Sequence, residues 1–444
     1  RISGLKPGTA VDIEQISHSF IFGAHIFNFD QLGTDERNEK YKALYGDLFN
    51  SATIAFYWKA LEPEEGKVRF EPEYRDSAEY WNTIKEPKLE PHWRRPATDP
   101  VVDFCEKKGI RLHGHPLVWG NYKWQYPDWL LKKMPSDWQI KQDWKNNWSP
   151  AAEIRNKRNL TREQLEKIMP EFAVYLETTM AKRIAEIAFR YGKRVHSWDV
   201  CNESAYDFEQ GAMVPGSALC NSSYDGIMPG DYTYRAFKLA DSMLPKEAKL
   251  NINDYYLNQS YVNQIADLKQ RGCKIDIMGA QMHLFNPQTC LDIADGKTLT
   301  QSPESVWQTM NCLSQAKLPI HLSEITITAP NNDERGQNIQ ANITRNLYRL
   351  WFSIKNMMGI TWWNVVDDCG APGEPSVSGL FSRNMEPKPA YFVLNELINK
   401  EWKTKLQTKA TDSGRVQFRG FRGTYRITWT DASGEIHIKF LELK

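Results

Sequence analysis

Val195-His196-Ser197-Trp198-Asp199-Val200-Cys201-Asn202-Glu203 is an apolar-rich run that closes on an amide and a carboxylate. Its length suits a strand, and its near-continuous apolar character suits one buried on both faces. Similar runs stand at 19–25, 51–56, 110–115, 249–254, 275–283, 319–324 and 358–364, which with 195–201 gives eight expected strands. Amphipathic stretches separate them, near 34–48, 99–108, 161–191, 231–242, 259–271, 302–317, 336–355 and 387–400. Two carry helix-start signals: Thr161 three residues before Gln164, and Ser302-Pro303. Strand and helix alternating in this way predict an α/β fold, a closed parallel (β/α)8 TIM barrel. An open doubly wound sheet is the alternative, disfavoured because no G-x-G-x-x-G follows the first strand.

The texture changes near residue 401. Arg415-Val416-Gln417-Phe418-Arg419, Tyr425–Thr430 and Ile436–Leu441 alternate in period two, with Gly420, Gly423 and Asp431-Ala432-Ser433-Gly434 between them. This predicts a small C-terminal antiparallel β subdomain over 401–444. About 40 residues rarely bury enough surface to stand alone, so it should pack on the barrel. Within the N-terminal segment 1–18, Ala10-Val11-Asp12-Ile13 is expected to add a strand, leaving 19–400 as the barrel.

Over 444 residues the net charge is +1 and the mean hydropathy is −0.59. Neither favours nucleic acid or an anionic membrane as partner. No apolar stretch approaches the ~20 residues of a membrane span, and Arg1 opens no signal-peptide pattern. The seven cysteines lack C-x-x-C spacing, which argues against structural zinc, and their odd number precludes complete intrachain pairing. Cys105, Cys201 and Cys312 fall in apolar patterns and read as buried thiols.

Unequal loops follow the strands, long at 57–98, 116–160, 203–230 and 365–386. Such loops build the cleft of a barrel. They hold Tyr57, Trp58, Trp81, Trp93, Trp119, Tyr122, Trp124, Tyr126, Trp129, Trp138, Trp144 and Trp148. Core packing explains any one of these, but the cluster suggests flat platforms for the apolar faces of sugar rings.

A second strand repeats the opening arrangement: Pro319-Ile320-His321-Leu322-Ser323 leads into Glu324. Two glutamates at equivalent ends of two strands are what glycoside hydrolysis needs, one to protonate the leaving oxygen and one to meet the anomeric carbon. Other strand ends add His115 to Trp119, Asn253-Asp254-Tyr255, Gln281-Met282-His283 and Trp362-Trp363-Asn364. A lone histidine is usually a satisfied core residue. Several polar strand ends meeting at one barrel mouth point instead to a site.

These residues resemble glycoside hydrolase family 10, the retaining endo-β-1,4-xylanases, over nearly the whole chain. Phe22-Gly23-Ala24 is similar to the family's first strand, Leu61-Glu62-Pro63 with Gly66 to its turn after strand two, His115 to Trp119 to H-x-L-V-W, and Trp198 to Glu203 to W-D-V-x-N-E. Asn253-Asp254-Tyr255, Gln281-x-His283, Ser323-Glu324, Trp363 with Asp367, Pro387 to Tyr391, and Phe418 to Tyr425 continue the match in order. The resemblance implies Glu203 as acid/base and Glu324 as nucleophile. It further implies Asn202 on the sugar 2-hydroxyl, His283 orienting Glu324, His115 and Gln281 on the adjacent sugar, Trp363 as its floor, and Trp119 and Tyr255 as further substrate contacts. It implies no metal or organic cofactor. The implied partner is a plant-type polysaccharide or oligosaccharide, and so large a substrate implies a secreted, periplasmic or cell-surface location. A different β-glycan, or a carbohydrate-binding barrel without activity, are the alternatives.

The chain departs from this pattern after strand two. The family's N-E-x-K-W is replaced by Ile54-Ala55-Phe56-Tyr57-Trp58, which puts Tyr57 where the lysine is expected. The second tryptophan beyond Asp367 gives way to Asp368-Cys369-Gly370-Ala371-Pro372-Gly373. Trp81 to Thr98 is an insertion containing Pro91-His92-Trp93-Arg94-Arg95-Pro96. It reads either as a solvated basic loop or as arginines that meet an acidic substituent on the substrate.

Overall fold

The computed structural model describes residues 5–139 and 160–444; Trp144 and Trp148 lie outside them. Eight parallel strands close a barrel: Ile21–His25, Ser51–Ala55, Arg111–His115, Ser197–Asn202, Lys249–Asp254, Ile277–Leu284, Ile320–Ile327 and Met357–Trp362. They pair in chain order, the first strand joins the eighth through Ile21↔Gly359, and the third and fourth meet at His113↔Ser197 and Gly114↔Trp198. The fold expected from the sequence is the one found. Its physical basis is visible in burial, since every residue of the first, second, fourth and seventh strands is buried. Glycine at position 114 leaves room for Trp198 of the fourth strand beside the third. A Cβ there would lie 2.3 Å from the Trp198 ring.

The helices follow from local signals. Thr161 and Gln164 form a reciprocal capping box, and Ser302 caps the helix Pro303–Ser314 through the Ser305 N–H. The stretch expected as one helix over 161–191 is two, Arg162–Ile168 and Pro170–Tyr191. Pro170 has no N–H to continue the first and is well placed to start the second.

Ala10–His18 lies between Lys405–Lys409 and Gly423–Thr430, and Ile436–Leu443 completes an antiparallel sheet. The alternating run 415–419 is not a strand. Val416 still enters the small core with Val11, Ile13, Tyr425 and Ile427, while Lys405–Lys409 takes the backbone pairing. The sheet meets the barrel through stacked aromatics: Trp402 lies 4.2 Å from Phe352 and 5.7 Å from Phe22 between ring centroids. All seven cysteines are free. Cys105 and Cys201 are buried, but Cys312 is only half-buried, on the outer part of its helix.

Candidate active site

The C-terminal ends of the barrel strands open on a cleft of about 520 Å³ whose walls include Asn202, Glu203, Gln281, His283, Glu324 and Trp363. His115, Trp119 and Tyr255 line it too, so every residue selected from the sequence is at one mouth. Local backbone geometry aims the two glutamates. Glu203 directly follows the fourth strand in the left-handed region, at φ 53°, a conformation unfavourable for a residue with a Cβ. Its N–H donates to the Asn253 carbonyl at 2.7 Å, which ties the turn to the fifth strand. Glu324 was expected at the end of its strand but lies inside Ile320–Ile327. The pairing register shifts between Leu322 and Ile325 on one side and between Gly279 and Gln281 on the other. Such bulges re-aim a side chain without ending the strand.

Amides bridge the two carboxylates. Gln281 donates to Glu203 Oε1 at 3.0 Å and to Asn202 Oδ1 at 3.4 Å. Asn253 donates to Asn202 Oδ1 and to Glu324 Oε1, both at 2.8 Å. On its other oxygen Glu324 meets His283 Nε2 at 3.4 Å, and that ring's Nδ1 bonds Thr326 Oγ1 at 2.9 Å. The environments differ as a result. Burial, then repulsion from Glu324, pushes the Glu203 carboxyl up to about 8, against the opposing hydrogen bond from Gln281. Glu324 is 4 % exposed and faces donors.

Beneath them, Asp199 accepts from His113 Nε2 and His115 Nδ1, both at 2.8 Å. Burial opposes its charge, yet the two imidazoles hold it well below the usual carboxylate range. This anchors His115, whose Nε2 reaches Tyr57 Oη at 3.1 Å. Trp363 stands edge-on to His25, Phe27, His115 and His283, its indole N–H bonded to Glu374 at 3.1 Å.

Three contributors were not picked out from the sequence. Asn253 was seen as part of a strand end and of a family motif but given no role, Tyr224 sits beside Glu203 with no local pattern to mark it, and Glu374 comes from a loop whose path is set by tertiary contacts. Asp254 also matters, since its carboxylate caps Ala205 and Tyr256 N–H at 2.8 Å each, fixing the loop beyond Glu203; burial raises it to about 6. Most loop aromatics are packing groups rather than platforms. Trp58, Trp81, Trp93, Tyr122, Tyr126, Trp129 and Trp138 are buried outside the cleft, whereas Tyr57, Trp119 and Trp124 line it.

Arg94 and Arg95 are 2 % and 6 % exposed, so the reading as a solvated basic loop is wrong. Gln31 Oε1 takes the Arg94 N–H at 2.7 Å and draws the loop inward. Among the described residues, the only cluster of acidic and histidine side chains close enough to share an ion is Asp431, Glu435 and His437, in the hairpin of the outer sheet. No helix among them is long and apolar enough to cross a membrane.

The chain is 24 % identical over 326 residues to "Exoglucanase XynX" of Acetivibrio thermocellus, covering 70 % of this chain and 25 % of that one. It is 24 % identical over 381 residues to "Endo-1,4-beta-xylanase B" of Thermotoga neapolitana, covering 83 % and 86 %. The chain thus spans only about a quarter of the length of some relatives it matches. Among solved structures, xylanase 10B from Thermotoga petrophila in complex with xylobiose superposes with TM-score 0.56 at 20 % identity, over 86 % of this chain and 95 % of that one. That likeness shows the barrel fold. The model of the family described as glycosyl hydrolase family 10 matches residues 14–397, and the chain belongs to that family.

Proposed function

We propose that the protein is a retaining glycoside hydrolase acting on a β-linked polysaccharide in the manner of an endo-1,4-β-xylanase. The observation that carries this reading is the contrast between two glutamates joined by one amide network: Glu203 raised to about 8 and Glu324 surrounded by donors. A carboxyl that holds its proton near neutral pH can donate it, and a carboxylate beside it can attack.

In this mechanism Glu203 protonates the glycosidic oxygen as its bond to the anomeric carbon breaks, and Glu324 forms a bond to that carbon. Glu203, now ionised, takes a proton from water, which displaces Glu324 and restores the original configuration. Asn202 Oδ1 is held by Asn253 and Gln281, which leaves its amide N–H2 for a sugar hydroxyl. Trp363 offers its face, since its edge is fixed by Glu374. The names of the relatives support xylan as the first substrate to try, and a polymer of that size supports a secreted, periplasmic or cell-surface location.

The test is reducing-end release from a panel of plant and algal polysaccharides, with NMR of the first product's anomeric configuration. We expect a β product at first, and loss of hydrolysis in Glu324→Ala. Hydrolysis that survives Glu324→Ala, or an α product, refutes the mechanism; binding without hydrolysis by the unaltered protein favours a carbohydrate-binding barrel.

A further inference from the structure

The end of the cleft nearest the second strand carries a buried positive charge that the proposed chemistry does not use. Arg94 and Arg95 both line the cleft, but their surroundings differ. Arg94 is compensated: its Nη1 meets Glu374 Oε2 at 3.3 Å, and its Nη2 bonds Asn364 Oδ1 at 3.1 Å. Glu374 is held in turn by Trp363, Asn364 and the Ala371 N–H. Arg94 therefore builds the wall.

Arg95 has no such partner. Its guanidinium carbon sits 3.6 Å from the Tyr57 ring centroid, and Nη1 donates to the Arg94 carbonyl at 2.8 Å. Its Nε is buried without a hydrogen-bond partner, and among the described residues no carboxylate lies within ion-pair distance of it. Burial accordingly pulls its pKa below the ordinary arginine value. An unpaired buried cation is costly, and the ring face offsets that only in part. The Arg95 Nε is sealed from the cleft and Nη1 is engaged by the Arg94 carbonyl, so the terminal Nη2, with the guanidinium charge behind it, is left to meet an oxyanion. Tyr57 and Trp124 flank the guanidinium with apolar surface, so the position suits an anionic group carried on a sugar ring.

We propose that Arg95 binds an oxyanion substituent of the glycan, a uronate carboxylate or a sulfate ester, at the strand-two end of the cleft, and that the enzyme is selective for anionic β-glycans. This selectivity rests on the hydrolase reading for its biological sense, but its test does not depend on turnover. Calorimetric binding to the Glu324→Ala protein compares three oligosaccharides of one backbone, one neutral, one bearing glucuronate and one bearing a sulfate ester. One anionic form should bind about ten- to a hundredfold more tightly than the neutral one, the usual range for a charge-assisted pair. Adding Arg95→Gln should bring that ratio close to one, and Arg95→Lys, which keeps charge without the planar guanidinium stacked on Tyr57, should leave it intermediate. The preferred anion identifies the substituent. Equal binding of all three, or a preference unchanged by Arg95→Gln, overturns the proposal. If the glutamine variant does not fold, an unchanged ratio in Arg95→Lys overturns it and a reduced ratio supports it. A neutral glycan bound and cleaved as well as the anionic ones would refute the selectivity and leave the hydrolase intact. Anion-selective binding without cleavage by the native enzyme would do the reverse.

Discussion

Replacing Glu203 by glutamine should stabilise the protein, and by an amount that grows with pH. The carboxyl moves from an ordinary 4.5 to about 8 on folding, mainly through burial. Between those values the folded chain keeps a proton that the unfolded chain has lost, so each rise in pH favours unfolding. At about 1.4 kcal/mol per pH unit, the cost approaches about 3 kcal/mol at pH 7 and about 5 kcal/mol above pH 8. Glu203 turns part of its surface to the cleft, so these figures are upper bounds. Glutamine does not titrate and still accepts from Gln281. Urea unfolding followed by tryptophan fluorescence at pH 4.5, 5.5, 7 and 8.5 isolates the term, because the other titrating groups are common to both proteins. The advantage of Glu203→Gln should be near zero at the acid end, rise through neutrality and level off above about pH 8. A difference that is flat with pH refutes the account of Glu203 as a carboxyl kept protonated by its site. The same displacement predicts an alkaline limb in native activity, falling as pH rises through about 8.

Asn253→Ala removes the amide that donates to Glu324 Oε1. A hydrogen bond to a charged group contributes about 1.5–3 kcal/mol, so kcat should fall about ten- to a hundredfold with a smaller change in KM; an unchanged kcat would show that His283 alone suffices. Asp199 lies between two imidazoles at 1 % exposure, and its removal strands both. Asp199→Ala should lose about 3–5 kcal/mol at neutral pH. Its folded pKa is depressed, so the native contribution is complete above the unfolded value near 4 and fades as pH falls below it. A deficit that did not shrink in acid would contradict this, as read by denaturation between pH 7 and 2.5.

The barrel was legible because its signals are local. A strand buried on both faces writes itself as an unbroken apolar run, and a capping box such as Thr161 with Gln164 needs only four residues. The glutamates were legible for the same reason, each standing where an apolar run meets polar residues. Arg95 was not. An arginine in a Pro-rich insertion fits either reading, solvated or facing the substrate, and only the folded loop, drawn inward by Gln31, shows it buried against Tyr57. Tyr224 and Glu374 come from long loops, where sequence says little about which side chains approach the strand ends. The run 415–419 misled because alternation marks what a strand buries but not its backbone partner, which was decided elsewhere in the chain.

The strand Ala10–His18 pairs on both edges with residues from the last forty of the chain, Ala10 opposite Lys409 and Val11 opposite Trp429. Everything between them is the barrel. During synthesis this strand emerges before the barrel and stays without a mate until the barrel has been made, so its two edges are open to unwanted pairing throughout. Asp12, exposed, and Glu14, half-buried, put charges on its outward face that discourage such association. Shortening the chain ahead of Lys405 would make that transient exposure permanent, and aggregation rather than lost catalysis would be its first symptom.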